Sequence, residues 1–316
     1  MVEARQQAMN TLTAQNRPSP AGQGASEAPP STAAYLAYAS RGENSWWRYA
    51  LGVAFALFLA IAVPAALILG LVVTHRWPAD LMQKAQDPAH PIDFFTFNGA
   101  LFLAVLAGFV VAARLVHRKR FTDVRGAWRW RDFAAGVGIW AVVLVCTTLI
   151  DVAIAPKGFH FAATRQTPVL ALVAGLALAV QTFAEEFVFR GYATQGLLLA
   201  TRRTLPAAVI SGLLFGAVHI PNGPPQAVSA AIFGIVLSVV AIRTGGIAFT
   251  FGLHLVNNLF GAVVVASSND AFHGSPALFS QNTPQLMWWD TAVGVVALVL
   301  VAVVVLRRRP SDQTPA

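Results

Sequence analysis

Eight stretches of this chain are apolar over lengths that match, or nearly match, a hydrocarbon core of about 30 Å. Their succession points to a bundle of membrane-spanning helices. They run approximately over residues 46–73, 94–116, 133–155, 168–199, 206–220, 225–242, 246–266 and 287–306. The fifth is short, and the fourth is long enough to tilt or to emerge from the bilayer. Composition agrees. Of the 316 residues, 56% are hydrophobic and 11% charged, where a soluble domain carries about 25% charge, and the mean hydropathy is +0.60. The expected fold is an all-α, polytopic membrane helix bundle of about eight transmembrane helices.

The formal charge of +8 comes from 22 basic residues that sit beside apolar segments rather than on an aromatic-rich soluble domain. That placement excludes a nucleic-acid partner and gives the charges a role in topology, because Lys and Arg accumulate on the cytoplasmic side. The link after the second segment carries Arg118, Lys119, Arg120, Arg125, Arg129 and Arg131 and is expected inside. By alternation so are Arg202 and Arg203, the turn at Arg243, and Arg307 to Arg309. Both termini are then cytoplasmic, and Trp46, Trp47, Trp288 and Trp289 fall at interfaces. High Ala and Val content with short connectors suits a bacterial inner membrane. Residues 1–44, rich in Ala, Gln, Pro, Ser and Gly, read as a disordered cytoplasmic tail. Residues 45–309 form the transmembrane domain and 310–316 a short C-terminal tail. No signal-peptide-like core precedes Trp46, so the first helix is expected to act as the targeting element. The single cysteine, Cys146, is expected as a small buried residue.

The first three and the last segments are almost purely apolar, whereas the fourth to seventh carry polar residues inside them, which sets off a core at about 167–266. Its most costly feature is Glu185-Glu186 with Arg190, at the end of an apolar run. A charge at the centre of a membrane helix costs roughly 2.5–3.5 kcal/mol on insertion scales. Of seven histidines, only His219 and His254 lie within the fifth and seventh segments. Helical spacing groups these residues: Glu186 with Arg190, Phe215 with His219, and His254 with Asn258 are each four apart and share a face. Gly212 and Gly216, also four apart, would let a neighbouring helix approach closely. Glu186 suits an ion pair with Arg190, leaving Glu185 free as a general base for peptide-bond hydrolysis. A histidine would help polarise the water, and a second histidine with an Asn amide would donate to the oxyanion.

Glu-Glu-x-x-x-Arg at Glu185, Glu186 and Arg190, Phe-x-x-x-His at Phe215 and His219, and His-x-x-x-Asn at His254 and Asn258 together resemble the three motifs of the CPBP (Abi) family of intramembrane proteases. That family includes the type II CAAX prenyl proteases and bacterial bacteriocin-processing or self-immunity proteins. The resemblance implies that Glu185 is the water-activating base assisted by His219. His254 and Asn258 would form the oxyanion hole, with Glu186, Arg190 and Phe215 in support. The substrate would be a membrane-associated peptide or protein, prenylated or bacteriocin-like. The family is labelled metalloprotease and has also been described as glutamate-dependent without metal. Glu185, His219 and His254 would be the ligands of a Zn²⁺, and the balance leans against a bound metal. The alternative readings are a non-catalytic membrane protein that binds a partner, including a self-immunity protein, and a proton-coupled transporter. The second is disfavoured because no internal repeat is visible.

Depth is the difficulty. At about 1.5 Å per residue, His254 lies about 12 Å and His219 about 20 Å from the cytoplasmic end, yet Glu185 would have to meet both. A tilted fourth helix and an intramembrane cavity opening from the cytoplasmic side are the expected solution.

Overall fold

Backbone groups in hydrocarbon must be satisfied within their own segment, which leaves helices as the form available to isolated apolar runs. The computed structural model describes residues 30–307 apart from Ala79 and Asn269. Its long elements are α1 (Pro30–Ala39), α2 (Trp46–Val73), α3 (Pro91–Leu115), α4 (Trp130–Ile154), α5 (Thr167–Thr201), α6 (Thr204–Val218), α7 (Pro224–Thr244), α8 (Ala248–Val264) and α9 (Met287–Arg307). Among the described residues six helices are long and apolar enough to cross a membrane: α2, α3, α4, α5, α7 and the stretch Pro284–Arg307 that contains α9. The remaining two apolar segments, α6 and α8, are shorter. Large apolar side chains such as Phe58, Leu67, Leu149, Leu172, Leu176 and Leu213 face outward, as a lipid environment permits and water would not. Cys146 also faces outward rather than into the core expected for it.

Small residues set the helix contacts. On α2 the buried face is Gly52, Ala56 and Ala60, one turn apart, and a side chain at Gly108 of α3 would come within 2.6 Å of the Ala56 carbonyl. A Cβ at Gly212 of α6 would meet Ile235 N at 2.4 Å, and one at Gly216 would meet Ala231 Cβ at 2.6 Å. The expected close approach is therefore made by α7. The helices α4 and α8 cross through a second pair, since a Cβ at Gly136 would lie 2.2 Å from Phe249 O and one at Gly252 2.3 Å from Phe133 O. Close backbone approach of this kind is how helices gain packing where the surrounding lipid removes the hydrophobic driving force.

The two ends of the bundle differ. The end that gathers Arg118 to Arg131, Arg202, Arg203, Arg243 and Arg307 holds a buried polar cluster. Lys119 Nζ donates to Ala39 O at 2.8 Å and to Tyr49 Oη and Gln195 Oε1, each at 3.3 Å. The two nitrogens of His117 contact Glu43 O at 2.8 Å and Tyr192 Oη at 2.7 Å. The segment expected as a disordered tail is corrected in part here. Pro30–Ala39 is helical, and Tyr35 is fully buried with its hydroxyl donating to the carbonyl of Arg190. An apolar Tyr-Leu face packed on α5 and α7 compensates for the polar composition around it. Residues 1–29 and the C-terminal tail at 310–316 lie outside the described residues. At the opposite end, three short strands form a sheet in the order β1-β3-β2. β1 (Phe159–Phe161) pairs antiparallel and β2 (Val265–Ser267) parallel with β3 (Phe279–Gln281).

Candidate active site

Within α5, the α-helical stretch Thr167–Glu185 gives way at Glu186 to a π-helical stretch through Ala193. π segments are rare and concentrate at functional sites. Here the change falls between the two glutamates. Glu186 and Arg190 are both fully buried, and Oε1 of Glu186 lies 3.2 Å from Nη1 of Arg190. The Arg190 guanidinium stacks over Phe215 at 4.2 Å from the ring centre, an interaction that reaches about 2 kcal/mol when desolvated. Phe215, from α6, is thereby placed as a support for the cation.

His254, on α8, lies between the glutamates. Its Nδ1 is 2.8 Å from Glu186 Oε1 and its Nε2 is 3.4 Å from Glu185 Oε2. The carboxylate of Glu186 thus acts on both Arg190 and His254, fixing the orientation of the imidazole in the way a carboxylate beside a catalytic histidine does. Glu185 is 8% exposed, and Gln181 Nε2 approaches its Oε1 at 3.4 Å. One turn beyond His254, Asn258 Nδ2 is 3.4 Å from Thr182 Oγ1. Its neighbour Asn257 accepts from the indole of Trp140 at 3.0 Å. Just past Asn258, α8 also turns π-helical, over Phe260–Val264.

His219 caps the end of α6, with Nδ1 2.8 Å from Phe215 O. It contributes to the same cavity as Glu185, His254 and Asn258. Glu185 is in ion-pair range of His254, and His219 meets them through the cavity that all three line. Gln181, Thr182, Trp140 and Asn257 escaped the sequence reading. Trp140 and Thr182 sit in runs where they look like ordinary membrane residues. Asn257, adjacent to a motif position, was the one with a visible signal.

The cavity has a volume of about 460 Å³ and runs from Glu185 and His254 past His219 to exposed Asn222 and Ala271. That is the end with the small sheet. The expected opening on the arginine-rich side is therefore corrected, and the reason is steric. Toward that side Arg190 and Phe215 fill the space, and Phe121, Trp128, Phe133, Phe183, Phe187 and Phe251 form a continuous set of ring contacts. The Zn²⁺ set Glu185, His219 and His254 does not fit this arrangement. Among the described residues no three His, Cys, Asp or Glu are grouped to hold a metal.

Fold and site together define an integral membrane protein with a carboxylate–histidine centre buried inside a helical bundle. Residues 165–260 match the family model described as type II CAAX prenyl endopeptidase Rce1-like. All three motifs lie in that range, so the resemblance to the CPBP intramembrane proteases is borne out. At family level the match supports a CAAX-protease-like endopeptidase. The chain is also similar to the uncharacterized protein YyaK of Bacillus subtilis (strain 168). The two are 29% identical over 266 residues, covering 78% of this chain and 87% of that protein. No solved structure matches.

Proposed function

We propose that the protein is an intramembrane endopeptidase that hydrolyses a peptide bond of a membrane-associated peptide or protein. The observation that carries this reading is a nearly buried carboxylate, Glu185, set beside His254 on a cavity of about 460 Å³ that Asn258 and His219 also line. With Nδ1–H of His254 donating to Glu186, Nε2 is left facing Glu185. In this reading Glu185 is the base and Nε2–H of His254 is a donor for the developing oxyanion, together with the Asn258 amide. The hydrogen bond from His219 Nδ1 to Phe215 O leaves Nε2 as an acceptor able to help orient the attacking water. Glu186 and Arg190 hold this arrangement without touching substrate. The proton taken by Glu185 passes to the leaving amine. The basic end faces the cytoplasm in this reading, and the similarity to a bacterial protein supports a bacterial membrane.

Mass spectrometry of peptides released from membranes carrying the wild type or Glu185→Ala tests the proposal. Peptides present with the wild type and absent with the variant are expected. Identical release from both would remove the assignment.

A further inference from the structure

Three features of the molecule bear on the side from which a substrate arrives. The first is the direction of the cavity. It ends at Asn222 and Ala271 and is walled there by Asp270 and Gln281, whereas none of the connectors at the arginine-rich end contributes to it. The second is the plug between the site and that end, made of the Arg190–Phe215 stack and the ring cluster about Phe183, Phe187 and Phe251. The third is charge. Among the described Lys and Arg, only Arg76, Lys84, Lys157 and Arg165 lie at the cavity end and Arg190 lies between; every other one is at the sealed end. Positive charge flanking spans is retained on the cytoplasmic side.

We infer that the mouth of the active-site cavity faces away from the cytoplasm, so that the segment reaching Glu185 is the extracytoplasmic part of an exported or membrane-anchored peptide. This rests on the proteolytic reading for what happens at Glu185, but the sidedness stands on geometry and charge alone. A peptide whose cleavable segment lies on the cytoplasmic side would meet the aromatic plug and the Arg190 stack before any catalytic group. One displayed on the other face would meet Asn222, then His219, then Glu185.

Two measurements separate the sidedness from the chemistry. In a Cys146→Ala background, Asn222→Cys places a thiol at the mouth and Arg203→Cys one at the sealed end, both at exposed positions. A membrane-impermeant maleimide should label Asn222→Cys in right-side-out vesicles and lose that labelling in inverted ones, with Arg203→Cys showing the reverse. Labelling of Asn222→Cys confined to inverted vesicles would overturn the inference whatever the protein catalyses. The second measurement presents a lipid-anchored model peptide on one face or the other of vesicles holding the oriented full-length protein. Cleavage only on the Asn222 side, lost in Glu185→Gln, supports the inference. Cleavage only on the Arg203 side overturns it while leaving the protease reading intact. The expected labelling with no cleavage on either face would support the sidedness and count against proteolysis.

Discussion

At the basic end of the bundle Lys119 is buried with three acceptors around its ammonium, and His117 has a partner on each ring nitrogen. At the site, Arg190 is a support, buried against one carboxylate and the face of an aromatic ring, and the groups that face the cavity are held more loosely. The contacts of Glu185 and Asn258 there are all long, at 3.3–3.4 Å. A polar group buried for stability is saturated, because each missing partner costs about 1–3 kcal/mol. Groups that are to bind a water and a peptide keep part of their capacity free. The contrast separates scaffold from site more sharply than burial does, since Lys119 and Glu185 are both buried.

The hardest test of this contrast is Arg190→Ala, which strands Glu186 as a buried charge. It should cost about 3–5 kcal/mol of stability, read as a lowered unfolding temperature in detergent. If stability is unaffected, the ion pair does not hold the site together. Glu185→Gln should do the opposite, lowering turnover about 10³-fold with the unfolding temperature unchanged, because its partners are distant. A large loss of stability would place Glu185 with the scaffold. Tyr192→Phe removes the hydroxyl next to His117 Nε2 and should cost about 1 kcal/mol, with peptide release preserved. The smallest effect concerns pH. Burial pushes the Lys119 ammonium down to about 8, so as pH rises above that value the folded protein releases a proton that the unfolded chain retains. Stability should therefore increase with pH, by about 0.7 kcal/mol per unit around pH 8. Lys119→Met should flatten that slope in pH-dependent melting curves.

Much of the bundle was legible because apolar length is a local property, and so were the four-residue spacings that put Glu186 on Arg190 and let α7 close on Gly212 and Gly216. The partner of His254 was not legible. A π segment beginning at Glu186 changes which way the following side chains point, and no residue in Glu186–Ala193 announces it. The direction of the cavity was missed for a different reason: it depends on rings from Phe121 to Phe251 that meet only after folding. The helix at Pro30–Ala39 was hidden by the composition of the surrounding segment, since Tyr35 anchors an apolar run too short to stand out beside a polar tail.

That anchor has a consequence for how the chain is assembled. The hydroxyl of Tyr35 reaches a backbone carbonyl 155 residues later in the chain, and α1 also rests on α7. During synthesis α1 leaves the ribosome before any of these surfaces exists, so it has to wait at the membrane surface until α7 has been inserted. The earliest-made of the described helices is then among the last to dock, and a chain shortened to begin at Trp46 would insert its spans yet lack the clasp on the carbonyl of Arg190.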